Sequence, residues 1–390
     1  METTIPYGRQ DISEEDIDAI VEVLKSDFLT QGPKVPAFEK AVADYCGVDH
    51  AVASNSATSA LHTACLALGV GPGDLVWTSP TTFVASSNCA LYCGADVDFV
   101  DIDPRSYNIS IERLSEKLAL ARVEGNLPKV VIPVHLCGQS CDMAAIYALG
   151  QEYGFSIIED ASHAIGGRYR DEVVGSCRYS DITVFSFHPV KIVTTGEGGM
   201  ALTRNAQLAR KLIYFRSHGI TSDKQEMDAR PDDEIWNYQQ VALGFNYRMT
   251  DIHAVLGISQ MKRLDAFVSR RNEIAKRYDE AFVDLAVDTP LVAPEVYSSF
   301  HLYVVCLQQN KCIKTQREVY NALREAGILV NLHYIPVYRQ PYYEKLGFKP
   351  GYCPKAEDYH KSTISLPMFP ALSNEQQDRV IDQFKSIVSQ

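Results

Sequence analysis

Between residues 50 and 203, short apolar runs alternate with stretches of helical periodicity, and few folds accommodate that alternation. The spacing predicts strands over 50–53, 75–78, 97–100, 129–134, 156–159, 179–187 and 199–203. Between them it predicts helices over 58–68, 83–92, 110–123 and 143–153. Two strands joined through a helix lie parallel in one sheet. The expectation is an α/β architecture, a mostly parallel sheet with helices on both faces.

Residues 13–26 (SEEDIDAIVEVLKS) read as a helix, with Ser13 as N-cap and Asp16 completing a capping box. A loop rich in Gly and Pro leads to a second helix over 35–45. From near Thr250 a long helical stretch runs to about Phe282 and bridges to a region of α+β character. At 390 residues the chain exceeds what one ordinary core serves. It divides into a large domain over 1–250 and a smaller C-terminal α+β domain over 251–390. Gly69-Val70-Gly71-Pro72-Gly73 follows a helix instead of a strand, so it reads as a turn and not as a dinucleotide fingerprint. The acidic run 231–234 reads as a solvated loop.

The net charge of −12 argues against nucleic acid or an anionic membrane as partner, although a local basic pocket can still take a small anion. No apolar run approaches the roughly 20 residues that cross a bilayer. The start METTIPYGRQ lacks a signal pattern, and a cytoplasmic location is expected. The ten cysteines form no CxxC pair and read as buried small hydrophobes. His135 lies near Cys137 and Cys141, but a fourth ligand and the usual spacing are missing, so no metal is expected.

Three motifs carry chemistry. Phe185-Ser186-Phe187-His188-Pro189-Val190-Lys191 ends an apolar strand in a lysine, and a Gly-rich turn follows at 194–199. A lysine facing a cleft is desolvated, which lowers its pKa and frees the amine to attack an aldehyde. An exposed lysine beside an ordinary turn is the plain alternative. Ser156-Ile157-Ile158-Glu159-Asp160 ends a second strand in acids, and ligands of open α/β sheets sit at the carboxyl ends of strands. Either Asp160 or Glu159 could be the functional acid, because adjacent strand residues face opposite sides. Ser54-Asn55-Ser56-Ala57-Thr58 precedes a helix, whose free N–H groups suit a phosphate or simple capping.

Together these motifs resemble the DegT/DnrJ/EryC1 family of sugar aminotransferases over nearly the whole chain, with SFHPVK and TTGEGG as the specific strings. The resemblance implies the pyridoxal-phosphate (PLP)-dependent transferase fold type I, which is aspartate-aminotransferase-like. It implies PLP as cofactor and L-glutamate as amino donor. Lys191 is then expected to carry the cofactor covalently and to shuttle a proton, and Asp160 to pair with the pyridine nitrogen. His163 is expected near the ring's phenolic oxygen, and Phe83 on the ring face. Ser56, Ala57, Thr58 and Ser186 are expected to hold the phosphate. Asn246 is expected to reach the phosphate of a neighbouring subunit, which makes the active unit a homodimer. Ala57 departs from the glycine of many relatives, at little cost where φ is negative.

The C-terminal half carries a narrower resemblance. Phe215-Arg216-Ser217-His218-Gly219, His301-Leu302-Tyr303 and His333-Tyr334-Ile335-Pro336 are similar to the pseudaminic-acid branch, as are Tyr7-Gly8-Arg9-Gln10 and Leu29-Thr30-Gln31-Gly32. That branch implies UDP-2-acetamido-2,6-dideoxy-β-L-arabino-hexos-4-ulose as the substrate. A UDP-sugar needs cations for the diphosphate and aromatics for the rings. Tyr7, Arg216, His218, His333 and Tyr334 are suitable types, and each also has an ordinary packing role open to it. Two other readings exist. Family members that remove a hydroxyl replace the lysine with histidine, and His188 lies near Lys191. A binding protein that kept the fold without catalysis is the second, and the complete lysine, acid and phosphate set speaks against it.

Overall fold

The apolar runs pair as one seven-stranded sheet in the computed structural model, which describes residues 4–229 and 234–389. Most of the acidic run at 231–234 lies outside the described residues. The strands are β1 (His50–Ser54), β2 (Leu75–Thr78), β3 (Asp96–Phe99), β4 (Val130–Ile132), β5 (Ser156–Asp160), β6 (Ile182–Ser186) and β7 (Gly199–Thr203). Their order across the sheet is β1-β7-β6-β5-β4-β2-β3. β2 through β6 run parallel. β7 alone is reversed, antiparallel to β6 on one side and to β1 on the other. The reason is the link over 187–198, which contains no helix. A parallel return needs a long crossover, usually helical. β4, β6 and β7 are buried along their whole length, which is why they read as continuous apolar runs instead of alternating ones.

Ser13 caps the first helix, Glu14–Leu24, and the capping box closes as expected, with Ser13 N–H on Asp16 at 2.9 Å and Asp16 N–H on Ser13 at 3.3 Å. Residues 69–73 form a turn, with Gly69 and Gly73 both at positive φ. Two differences from the sequence reading bear on the site. The helix expected from 83 begins at Ala85, which leaves Phe83 outside it. The strand expected to end at 159 continues to Asp160.

The expected long helix over 250–282 is two helices, Asp251–Met261 and Leu264–Phe282. They break at Lys262–Arg263, where the Arg263 guanidinium reaches Asp11 and Asp16, each at 2.6 Å. Asp251 accepts from Gly32 N at 2.8 Å and Lys34 N at 2.7 Å, and Gly257 lies against the Phe38 ring. This packing sets Asp251–Met261 against the segment at 32–38 and the first helix.

The C-terminal region holds a three-stranded antiparallel sheet of β8 (Val287–Asp288), β9 (Tyr303–Leu307) and β10 (Thr363–Leu366). The amino-terminal strand Ile5–Pro6 pairs with Ile328–Leu329, and Asn331 bridges to Ser365 on β10. These pairings bring Tyr7, His333 and Tyr334 to one place.

Candidate active site

The carboxyl ends of β1, β5 and β6 lie together because their side-by-side order is interrupted only by reversed β7. Asp160 closes β5 and is buried. Its Oδ2 accepts from Ser86 Oγ at 2.6 Å, and its Oδ1 accepts from Ser162 N–H at 3.1 Å. Glu159, the other acid left open by the sequence, turns to the opposite face. It takes hydrogen bonds from His135 at 2.7 Å, from Thr183 at 3.0 Å and from Ser180. Cys141 N–H donates to the other nitrogen of His135 at 3.2 Å, so both ring nitrogens are engaged. All ten cysteines are unpaired and all but Cys93 and Cys137 are buried, in keeping with their reading as small hydrophobes.

Lys191 sits in the helix-free link after β6, its N–H bonded to the His188 carbonyl at 2.9 Å. Burial brings its amine down to about 8, against the opposing attraction of Asp160 and Cys137. Part of the side chain still meets solvent. The neighbouring His188 is exposed and lies 4.0 Å from Glu197.

Ser56 caps the helix Ala57–Ala67, its hydroxyl accepting from Ser59 N–H at 3.1 Å. Ala57 and Thr58 are the first helical residues, whose N–H groups no helical carbonyl takes. Ala57 lies in the helix and is absent from the residues with positive φ, so the alanine carries no strain there. Gly199 packs directly on this turn: a Cβ at 199 would stand 2.4 Å from Ser56 C, Ser56 O and Ala57 N. Ser186 faces Gly199 in the β6–β7 register. Phe83 lies beyond the end of β2 with 59 % of its surface exposed.

A buried aromatic group forms the side of the site contributed by the C-terminal region. Cys137 N–H donates to His163 Nδ1 at 3.3 Å, so the proton of the neutral ring is on Nε2, which lies 3.2 Å from Tyr334 Oη. The His301 ring lies 4.4 Å from that of His163, and the Tyr7 ring 5.3 Å from that of His333. His333 Nδ1 meets Ser365 Oγ at 2.8 Å. Burial and the charge of Lys191 hold His163 and His301 well below the usual histidine range and bring His333 down to about 3. Burial raises the Tyr334 phenol, which keeps its proton.

The remaining candidates make their contacts elsewhere. The Arg216 guanidinium donates to the Ala53 carbonyl at 2.7 Å and pairs with Glu39. His218 has positive φ, and its N–H bonds to Phe245 O at 2.9 Å. Asn246 is exposed, its carbonyl 3.5 Å from Asn55 Nδ2 beside the Ser56 turn. The sequence reading missed Ser86 and the tilted contact of the His301 ring with that of His163. A serine two residues into a short helix carries no local signal, and the His301 string entered only as a family likeness.

This arrangement offers a desolvated amine, a hydroxyl-bonded acid, an open phenyl face and a helix start closed by glycine. Residues 10–385 match the model of the DegT/DnrJ/EryC1/StrS aminotransferase family. The chain belongs to this family.

Among relatives of known naming, the chain is 40% identical over 387 residues to the Bacillus subtilis spore coat polysaccharide biosynthesis protein SpsC, covering 98% of this chain and 97% of that one. It is 38% identical over 386 residues to the Campylobacter jejuni UDP-4-amino-4,6-dideoxy-N-acetyl-beta-L-altrosamine transaminase, again covering 98% and 97%. Among solved structures it superposes on Helicobacter pylori PseC, an aminotransferase involved in the biosynthesis of pseudoaminic acid, with a TM-score of 0.89, 30% identity and coverage of 99% and 100%. The Streptococcus pneumoniae sugar aminotransferase Spr1654 in its PLP form gives a TM-score of 0.88 at 30% identity, covering 99% of each chain. Family aminotransferases are PLP-dependent, and the residue types gathered here are compatible with that group: Lys191 could meet its aldehyde, Asp160 its ring nitrogen, Phe83 its ring face and the 56–58 turn its phosphate. Among the described residues, no helix of this family member is long and apolar enough to cross a membrane.

The amine near 8 gives a pH dependence with a definite sign. Only the unprotonated amine attacks an aldehyde, and at pH 7 about a tenth of the Lys191 side chains are in that form. The rate at which apo-protein captures added PLP is expected to rise about tenfold per pH unit up to about 8 and then level off. Stopped-flow absorbance checks this, and a rise that continues to pH 10 would return Lys191 to an ordinary exposed lysine.

Proposed function

We propose that this aminotransferase uses PLP to move an amino group from L-glutamate to C4 of a UDP-linked 4-keto-6-deoxy-N-acetyl hexose, UDP-2-acetamido-2,6-dideoxy-β-L-arabino-hexos-4-ulose. The observation that supports the chemistry is that Lys191 and Asp160 lie at or just beyond the carboxyl ends of the neighbouring strands β6 and β5, near enough for the carboxylate's charge to oppose the desolvation of the amine. The substrate class is supported by the activity for which the Campylobacter relative is named.

Bound PLP supplies an electron sink for charge that develops at the substrate carbon. The chain's residues supply the rest. Asp160 keeps the ring nitrogen protonated. Lys191, as a free amine, would take a proton from the donor carbon and deliver it to the carbon on the other side of the transferred nitrogen. The Ser56–Thr58 turn and Ser186 would hold the phosphate, and Phe83 would offer its face to the ring. Tyr7, His333 and Tyr334 line the sugar side, where a neutral imidazole and two protonated phenols orient hydroxyl and carbonyl groups without adding charge. Arg216 is committed to Glu39 and Ala53, so in this reading it steadies the turn and leaves the diphosphate to other donors. Exposed Asn246, with exposed Ile235, Trp236 and Leu243 close by in sequence, supports a surface that meets a second copy and a homodimeric active unit. A single-chain mass in sedimentation equilibrium would remove that part of the reading.

The test is a visible spectrum of the PLP-loaded protein through two additions. L-Glutamate is expected to bleach the yellow band, and the UDP-linked 4-keto sugar to restore it with formation of an amino sugar. Bleaching without restoration removes this sugar as the substrate and leaves the aminotransferase. A deoxy sugar with released ammonia would favour a dehydratase.

A further inference from the structure

Asp160 does not stand alone in its pocket. Ser86 Oγ donates to its Oδ2 at 2.6 Å, and Thr82 Oγ1 lies 2.7 Å from Ser86 Oγ. Thr82 and Asp160 are buried, and Ser86 is wholly so. The direction of the bonds follows from counting protons. A hydroxyl has one to give. Ser86 Oγ also lies 3.3 Å from the Phe83 carbonyl, which can only accept. The carboxylate contact is the shorter and is charge-assisted, so the Ser86 proton goes there. Ser86 then has only its oxygen left for Thr82, and Thr82 donates to it. The chain of donation runs from Thr82 through Ser86 to Asp160. Ser162 N–H holds the other carboxylate oxygen at 3.1 Å.

Thr82 and Ser86 flank Phe83 on either side. The acid at the end of β5 is therefore tied to the residue that carries the exposed phenyl through Ser86, whose backbone N–H donates to the Phe83 carbonyl at 3.3 Å, although the two lie 77 positions apart in sequence. We infer that Ser86, with Thr82 behind it, is a positioning residue that fixes the Asp160 carboxylate towards the cofactor's ring nitrogen and in register with Phe83. This rests on the reading of Asp160 as partner of that nitrogen. Rotation of the carboxylate would break the Ser86 bond, the Ser162 bond or both, so the network selects one orientation.

The experiment is a double-mutant cycle on Ser86→Ala and Asp160→Asn with three readouts. Apo-proteins are titrated with PLP by fluorescence quenching, their melting temperatures are recorded, and PLP-loaded proteins are mixed with L-glutamate in a stopped flow. Ser86→Ala alone is expected to weaken PLP binding about tenfold and slow bleaching by about the same factor, the loss typical of one hydrogen bond to a charged group. In the Asp160→Asn background the same change is expected to alter neither by more than about twofold. Thr82→Val, nearly isosteric, is expected to give a smaller loss of the same sign, and it takes the place of Ser86→Ala in the cycle should that protein fail to fold. Equal losses in both backgrounds overturn the positioning role, since a merely structural serine would act independently of Asp160. So does a variant indistinguishable from wild type. If Asp160→Asn itself binds PLP and bleaches at wild-type levels, the reading of Asp160 is lost and the positioning role with it.

Discussion

Lys191→Ala is expected to lower kcat by at least about 10⁴-fold, because one change removes both the covalent anchor and the proton shuttle. Steady-state kinetics with saturating glutamate and keto sugar measure it, and turnover within tenfold of wild type would end the assignment. The same variant has a stability signature that activity does not report. In the folded apo-protein the amine is lowered from 10.5 to about 8, so the native state binds fewer protons than the unfolded chain between those values. Stability of the wild type therefore rises with pH across that window, and the penalty for a buried ammonium is fully present below about 8. Lys191→Ala lacks the group. The melting temperature of the wild-type apo-protein should gain on that of the variant as pH is raised from 8 to 10.5, and a constant difference would mean that Lys191 is not desolvated.

Asp160→Asn is expected to lower kcat by roughly 10²–10³-fold, with weaker PLP binding and a shifted cofactor band. Asparagine has nearly the same volume, and its one amide oxygen can still accept from Ser162 N–H while its NH2 donates to Ser86 Oγ, whose proton then turns to the Phe83 carbonyl. It cannot balance a protonated pyridine nitrogen, so the loss falls on the chemistry more than on folding. A far-ultraviolet melt separates the two: an unchanged melting temperature with a large loss in rate is the expected pair. A full loss of folded protein would instead make Asp160 a structural residue.

Much of the architecture is readable from the residues because each signal is local. The capping box at Ser13 and Asp16 needs only four residues to be recognised, and it forms as expected. The crossover strands are legible because each helix between them is apolar on the spacing of a helix. The reversal of β7 is not, since it depends on the link over 187–198 folding without a helix, and Gly and Thr there permit many paths. Lys191 and Asp160 are legible as types at strand ends, and their convergence is not, because strand order is a property of the whole sheet. The choice between Asp160 and Glu159 lies beyond local pattern for the same reason. It is decided by His135, Ser180 and Thr183, which the fold brings to the far face. Arg216 shows the same dependence on the fold. A cation of the right type for a diphosphate is drawn inward by Glu39 and the Ala53 carbonyl, partners distant in sequence.

Gly199 carries a consequence for genetics. The atoms that a Cβ there would strike are Ser56 C, Ser56 O and Ala57 N, all main chain. A clash with a side chain can be relieved by trimming that side chain elsewhere in the gene. Main-chain atoms are present whatever residue is encoded at 56 or 57, so no codon change at those positions makes room. Suppressors of a Gly199→Ala lesion would be confined to restored glycine codons or to changes that shift a whole strand.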